Sequence, residues 1–257
     1  MNTLIIALAA FLASGLTLFS GFGLGTLLMP VVALFFPVDI AIGITALVHL
    51  ANNVFKLGLL GRQANIGVVV RFGLPAVAAA FAGALLLGQL AAQPPFIEYV
   101  VAGKALQVVP LKASVGLLIL LFVGLELSPA FAAKSFDRKY LPLGGLISGF
   151  FGGLSGHQGA FRSMFLIKAG LTKEQFVATG VVLAVMVDVA RMSIYGWEAG
   201  AAAREVDWWL VGIATISAFL GAFIGARLIR KVTIHSIQLA VSVLLVIVAF
   251  GLISGLL

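Results

Sequence analysis

The sequence predicts an all-α polytopic membrane protein made of two inverted-topology repeats, and three observations carry that prediction. Of 257 residues, 62% are hydrophobic and only 10% are charged, where a soluble domain carries roughly 25% charged residues. Mean hydropathy is +1.19, and several apolar runs reach bilayer length, about 20 residues per helical crossing. One order of apolar runs and glycine-rich breaks also occurs twice. So much chain is needed for the crossings that no soluble domain fits beside them, and function has to come from residues inside or lining the membrane.

The elements follow in chain order. Thr3 to Phe19 is apolar and ends in Ser20-Gly21-Phe22-Gly23-Leu24-Gly25, after which Thr26 to Phe36 continues as far as Pro37. That second piece is about 17 Å long as a helix, against a hydrocarbon thickness of about 30 Å, so the pair is expected to return to its own side. Ile40–Leu60 and Ile66–Leu90 can span, Pro94-Pro95 opens a less regular stretch expected to lie at the interface, and Leu111–Phe131 spans again. After a polar loop with Lys134, Asp137, Arg138 and Lys139, Tyr140–Leu154 ends in Ser155-Gly156-His157-Gln158-Gly159. A short piece, Ala160–Leu171, then precedes spans at Gln175–Tyr195, Trp208–Ile229 and Ile234–Leu257.

The second set answers the first residue by residue. Ser14-Gly15 matches Ser148-Gly149, and Ser20-Gly21 matches Ser155-Gly156. Asn53, Lys56 and Gly61 match Asp188, Arg191 and Gly196 at one constant offset, and Phe81-Ala82-Gly83-Ala84 matches Phe219-Leu220-Gly221-Ala222. Small residues are common in membrane helices, but their shared order marks a repeat. The expected units are 1–133 and 134–257, each a glycine-broken re-entrant or hairpin segment followed by three transmembrane helices.

Charge sets the orientation. The formal charge is +7, and the basic residues lie in the loops around Arg62 and Arg71, around Lys134 to Lys139, and around Arg227 to Lys231. Those loops are expected in the cytoplasm, and the acidic loop with Glu198, Glu205 and Asp207 outside. The scattered cations argue against nucleic acid as a partner. No Lys or Arg precedes Lys56, so the charged start of a signal peptide is missing and the first apolar run is expected to be retained. With no Cys, and no phosphate loop, HExxH or dinucleotide fingerprint, neither enzyme chemistry, a cofactor nor a bound metal is expected.

Inverted repeats with broken helices are the signature of secondary transporters, whose site lies near the midplane between the breaks. Half-helices that begin at the breaks would turn free N–H groups and the positive dipole end toward that point, which favours an anion. The expected substrate-binding residues are Ser20, Gly21 and Gly23 in the first break, Ser155, Gly156, His157 and Gln158 in the second, Asn52 and Asn53 on the helix after the first break, and the cations Arg162 and Arg191. Asp188 and His49 are expected as charge partner or proton carrier. His49 and Asn53 share a face at i, i+4, and Asp188 and Arg191 pair at i, i+3. Lys56 and Lys168 lie nearer helix ends, where snorkelling to the interface explains them. The partners implied are a small anionic solute and the bilayer, and the reading leaves room for a homodimer. An anion channel, or an accessory subunit of a larger complex, is the alternative.

The first break followed by Met29-Pro30, the small and polar pattern of the next helix, the mid-chain basic loop and Gly149-Phe150-Phe151-Gly152-Gly153-Leu154-Ser155-Gly156 together resemble the TauE/SafE sulfite exporter family, also called TSUP. The resemblance covers nearly the whole chain. It implies a duplicated bacterial-type protein of the cell inner membrane that exports sulfite or a related organosulfur anion such as sulfoacetate or thiosulfate. The chain departs from the family pattern in having fewer consecutive glycines in its first break and His157-Gln158 in its second, which leaves the particular anion open and points toward a carboxylate or sulfonate.

Overall fold

The computed structural model describes residues 2–20, 24–101, 103–198, 207–228 and 234–257. In hydrocarbon every backbone polar group has to be satisfied within its own segment, so apolar runs of this length become helices. The order is α1 (Asn2–Ser20), α2 (Leu24–Ala33), α3 (Val38–Leu60), α4 (Ile66–Ala91), β1 (Ile97–Val101), β2 (Lys104–Val108), α5 (Pro110–Leu127), α6 (Pro129–Ala132), α7 (Leu141–Ser155), α8 (Gly159–Leu166), α9 (Lys173–Glu198), α10 (Trp208–Leu228) and α11 (Ile234–Ile253). Among the described residues four helical stretches, Ile40–Gln63, Ile66–Ala91, Pro110–Leu127 and Lys173–Tyr195, are long and apolar enough to cross a membrane. Large apolar side chains face outward in stripes one helical turn apart, such as Leu4, Leu8 and Leu12 on α1 and Val243, Ile247 and Phe250 on α11. Such surfaces suit lipid and not water. Trp208 and Trp209, exposed at the start of α10, sit where an interfacial aromatic belt is found.

Local chemistry sets the helix ends. The Asn65 side chain accepts from the Val68 N–H at 3.1 Å and caps α4, and Pro110 occupies the first turn of α5, where its missing N–H costs nothing. Gly156 closes α7 in the left-handed conformation at φ 80°, its N–H reaching the Gly152 carbonyl, a position that glycine adopts without the strain of a Cβ.

The stretch after Pro94-Pro95 is an antiparallel β-hairpin in which Ile97 pairs Val108 and Val101 pairs Lys104. It is docked, because the Tyr99 hydroxyl donates to the Ser254 carbonyl at the end of α11. Alternating Ile, Tyr and Val at 97, 99 and 101 is strand-like, whereas the sequence reading weighed only the charges there.

Glycines bring the helices together. Along α7, Gly145, Gly149 and Gly153 lie against the α4 backbone at Phe72, Ala76 and Ala80, and a Cβ on any of them would sit 2.1–2.2 Å from the facing carbonyl oxygen. The two helices therefore run parallel. In return, Gly83 of α4 faces the α7 backbone at Phe150 and Leu154, and Gly221 of α10 lies on the α1 backbone at Phe11. Each of these close packings joins one half of the sequence to the other. Helix α3 runs antiparallel to α9, since His49 meets Asp188 while the Asn65 N–H donates to Thr179 Oγ1 at 3.0 Å.

α7 and α8 form a helical hairpin. The Phe136 N–H just before α7 donates to the Met164 carbonyl near the end of α8 at 3.1 Å, and Phe165 fills the space over Gly144. Gly67 lies beside the Arg138 guanidinium, so the loops around Arg62 and around Lys134 to Lys139 meet at one end of the molecule.

Candidate functional site

The second break, residues 155–159, packs against the middle of α9. Gly156 lies against the Arg191 guanidinium, where an added Cβ would be 2.7 Å from Nη1, and Ser148 on α7 pins the break by donating to the Gln158 carbonyl at 3.0 Å. On the other side Gly25, in the first turn of α2, packs against Thr45 and His49 of α3. The start of α2 and the second break thus approach the α3–α9 contact from opposite sides. Ser20's side chain, Gly21 and Gly23, expected in the first break, lie outside the described residues.

Asp188 is the hub of the site. It is fully buried, with His49 Nδ1 at 2.6 Å and Asn53 Nδ2 at 3.1 Å from Oδ2. Gln158 Nε2 lies 3.4 Å and Arg191 Nη2 2.8 Å from Oδ1. An oxygen set that only accepts is an ionised carboxylate, so His49 donates through Nδ1–H and its Nε2 is left facing the Asn53 amide at 3.4 Å. The expected i, i+3 pair of Asp188 with Arg191 and the shared face of His49 and Asn53 are both present. The side chains that meet at this carboxylate come from α3, α9 and the second break.

Around the hub lie groups that lack partners. Among the described residues Arg191 Nε, Asn52 Nδ2, Thr45 Oγ1 and His157 Nε2 are buried without a hydrogen-bond partner, although Asn52 Oδ1 accepts from Ser14 Oγ at 3.1 Å. His157 stacks on Phe122 with ring centroids 4.8 Å apart. Its Nδ1–H donates to the Ser155 carbonyl at 3.1 Å, which leaves the Nε2 lone pair free. The Ser155 hydroxyl itself is turned back to the Phe151 carbonyl. Buried polar atoms are nearly always paired, so a cluster of orphans beside an ion pair marks a place where a solute or water belongs.

The cations lie on both sides of the hub. Arg162, half-buried, donates to Gln158 Oε1 at 3.3 Å and runs over Gly180 of α9; it does not snorkel away. Lys56 is only 7% exposed and lies one turn beyond Asn52 and Asn53, within electrostatic range of Arg162. The snorkelling expectation for Lys56 is therefore corrected: α3 continues to Leu60 and is covered by α9, so position 56 is interior. Lys168 is exposed, as expected. Sequence reasoning also passed over Ser14 and Thr45, which were too ordinary to single out, and Glu126 of α5, one of whose oxygens is buried without a partner.

A family model described as Sulfite exporter TauE/SafE matches residues 6–252, a stretch that contains every described residue of this site. No curated protein and no solved structure shows significant similarity to the chain. A match over nearly the whole length, on a helical membrane protein with a buried ionic centre, leaves one conclusion: the chain belongs to the TauE/SafE sulfite exporter family.

Proposed function

We propose that this protein is a secondary transporter of the cell inner membrane that exports sulfite or a related organosulfur anion, such as sulfoacetate or thiosulfate, by alternating access around a midplane site. The observation that carries the reading is the group of unpartnered buried donors, Arg191 Nε and Asn52 Nδ2, beside the second break and the α3–α9 contact. Arg191, Arg162, Asn52, Asn53, Gln158 and His157 are the proposed ligands, with Gly156 keeping side chains out of the way and Ser155 fixing the imidazole. Asp188 and His49 hold Arg191 in position. His157 Nε2, with its lone pair free, is the proposed proton acceptor, or the partner of a protonated anion.

Two inverted repeats, 1–133 and 134–257, support alternating access. Helices α1, α2, α3, α4 and α5 correspond in order to α7, α8, α9, α10 and α11. Under that exchange the packing of α4 on α7 becomes that of α10 on α1, while α3–α9 and α5–α11 map onto themselves. The α7–α8 hairpin begins and ends at the basic end, whereas α2 runs from the His49 level to the turn before α3, at the other end. The half-helices α2 and α8 thus leave the centre in opposite directions, as inverted repeats require. A membrane potential of 100 mV, negative inside, favours expulsion of an anion by about 2.3 kcal/mol per charge, so export needs no other fuel.

Tracer flux in proteoliposomes tests this reading. Saturable efflux of sulfite, thiosulfate or sulfoacetate, accelerated by the same anion on the far side, is the expected result. Conductance without such counterflow would mean a channel, and absence of flux for every anion with folded protein would remove the anion site.

A further inference from the structure

The charges around Asp188 do not balance. Among the described residues the cations Lys56, Arg162 and Arg191 lie around the site with one fully buried carboxylate, Asp188, and the two imidazoles, each with Nδ1 turned to an oxygen, add no negative charge. The partly buried Glu126 on α5 forms an ion pair with none of them among the described residues. Among the described residues two positive charges are left over in and beside the buried centre, an arrangement that persists only where a counter-charge is expected.

The cations are also divided in space. Arg191 lies against Gly156 at the second break. Arg162 runs over Gly180, two turns of α9 before Asp188, and Lys56 lies two turns beyond His49 on the antiparallel α3, within electrostatic range of Arg162. The helix between them and Arg191 carries Asp188, which already has four donors around it, so among the described residues neither Lys56 nor Arg162 forms an ion pair with a carboxylate.

From this excess and its division we infer that the site selects doubly charged anions over singly charged ones, their negative charge shared between Arg191 at the second break and Lys56 with Arg162 beyond it. The inference rests on the proposed anion site and adds its charge specificity. Lys56 becomes a specificity residue: it reads the second charge.

The test uses the purified full chain and two sulfonates of similar size, sulfoacetate as dianion and isethionate as monoanion, at neutral pH, with affinity measured by calorimetry. The expected wild-type result is sulfoacetate tighter by at least about tenfold, the equivalent of one moderately screened charge contact. Lys56→Gln is expected to bring the two affinities within about threefold of each other mainly by weakening sulfoacetate, and Lys56→Arg to restore the difference. Because Lys56 and Arg162 repel, Lys56→Gln is also expected to melt no lower than wild type without anion, a readout independent of binding. Equal wild-type affinities, or an unchanged ratio in Lys56→Gln, would overturn the charge inference while leaving the anion site standing. Binding of neither sulfonate would overturn the site and the inference together.

Discussion

Asp188 joins more elements than any other described side chain of the site, and its replacement separates structure from transport. Asp188→Asn keeps the shape but leaves Arg191 buried without a counter-ion, and breaking a buried pair in this way costs about 3–5 kcal/mol. A marked fall in the melting temperature of the detergent-solubilised protein is expected. Arg191→Ala and Arg162→Ala should instead abolish anion flux in proteoliposomes while the protein still inserts, and wild-type flux in both would remove the proposed ligands. His157→Ala is expected to alter the pH dependence of flux, because its imidazole, with a lone pair free, is a group at the break that can take up a proton. These positions were legible in the sequence because a polar residue in an apolar run is expensive and so draws attention. Lys56 was not, since its sequence distance from the helix end said nothing of the α9 helix that covers it.

At the level of elements, the α4–α7 contact depends on the absence of three side chains. Gly149→Ala would place a methyl group 2.1 Å from the Ala76 carbonyl oxygen, which rigid backbone cannot yield. A loss of about 1–3 kcal/mol is expected from such overpacking, read as a lower melting temperature. Gly124→Ala on the exposed face of α5, where an added Cβ has no neighbour within 4 Å, should be neutral or stabilising by up to about 1 kcal/mol. Equal effects of the two would mean that the close approach does not carry stability. The spans of α3, α4, α5 and α9 could be read from hydropathy, because run length decides what fits the bilayer, although the run expected to reach Phe131 breaks at Ser128 into α5 and α6. The glycine periodicity of α7, by contrast, names an interface without naming its partner, so the pairing with α4 emerges only in three dimensions. The β-hairpin was missed for a related reason, since strand alternation over five residues is a weak signal beside long apolar runs.

For the whole molecule, the proposed orientation can be mapped directly because the chain has no Cys. Single cysteines at Arg62 or Lys134 should react with a membrane-impermeant thiol reagent from one side only, and those at Gln93 or Asp207 only from the other. Labelling of all four from one side would overturn the inverted arrangement. The crossing of the two halves, α1 against α10 and α4 against α7, could not be read from the sequence. That crossing governs how the protein is made. Helix α1 enters the membrane first, yet the backbone it is shaped to meet belongs to α10, roughly 200 residues later, and at about 5–20 residues per second the wait is on the order of 10–40 s. Helix α4 likewise stands without α7 until the second half emerges. During biosynthesis the faces of α1 and α4 that the glycines of α10 and α7 later meet are bare surfaces in a crowded bilayer, open to the wrong neighbour. A first half made alone therefore carries two faces, on α1 and α4, whose closest-packed partners are not yet in the membrane.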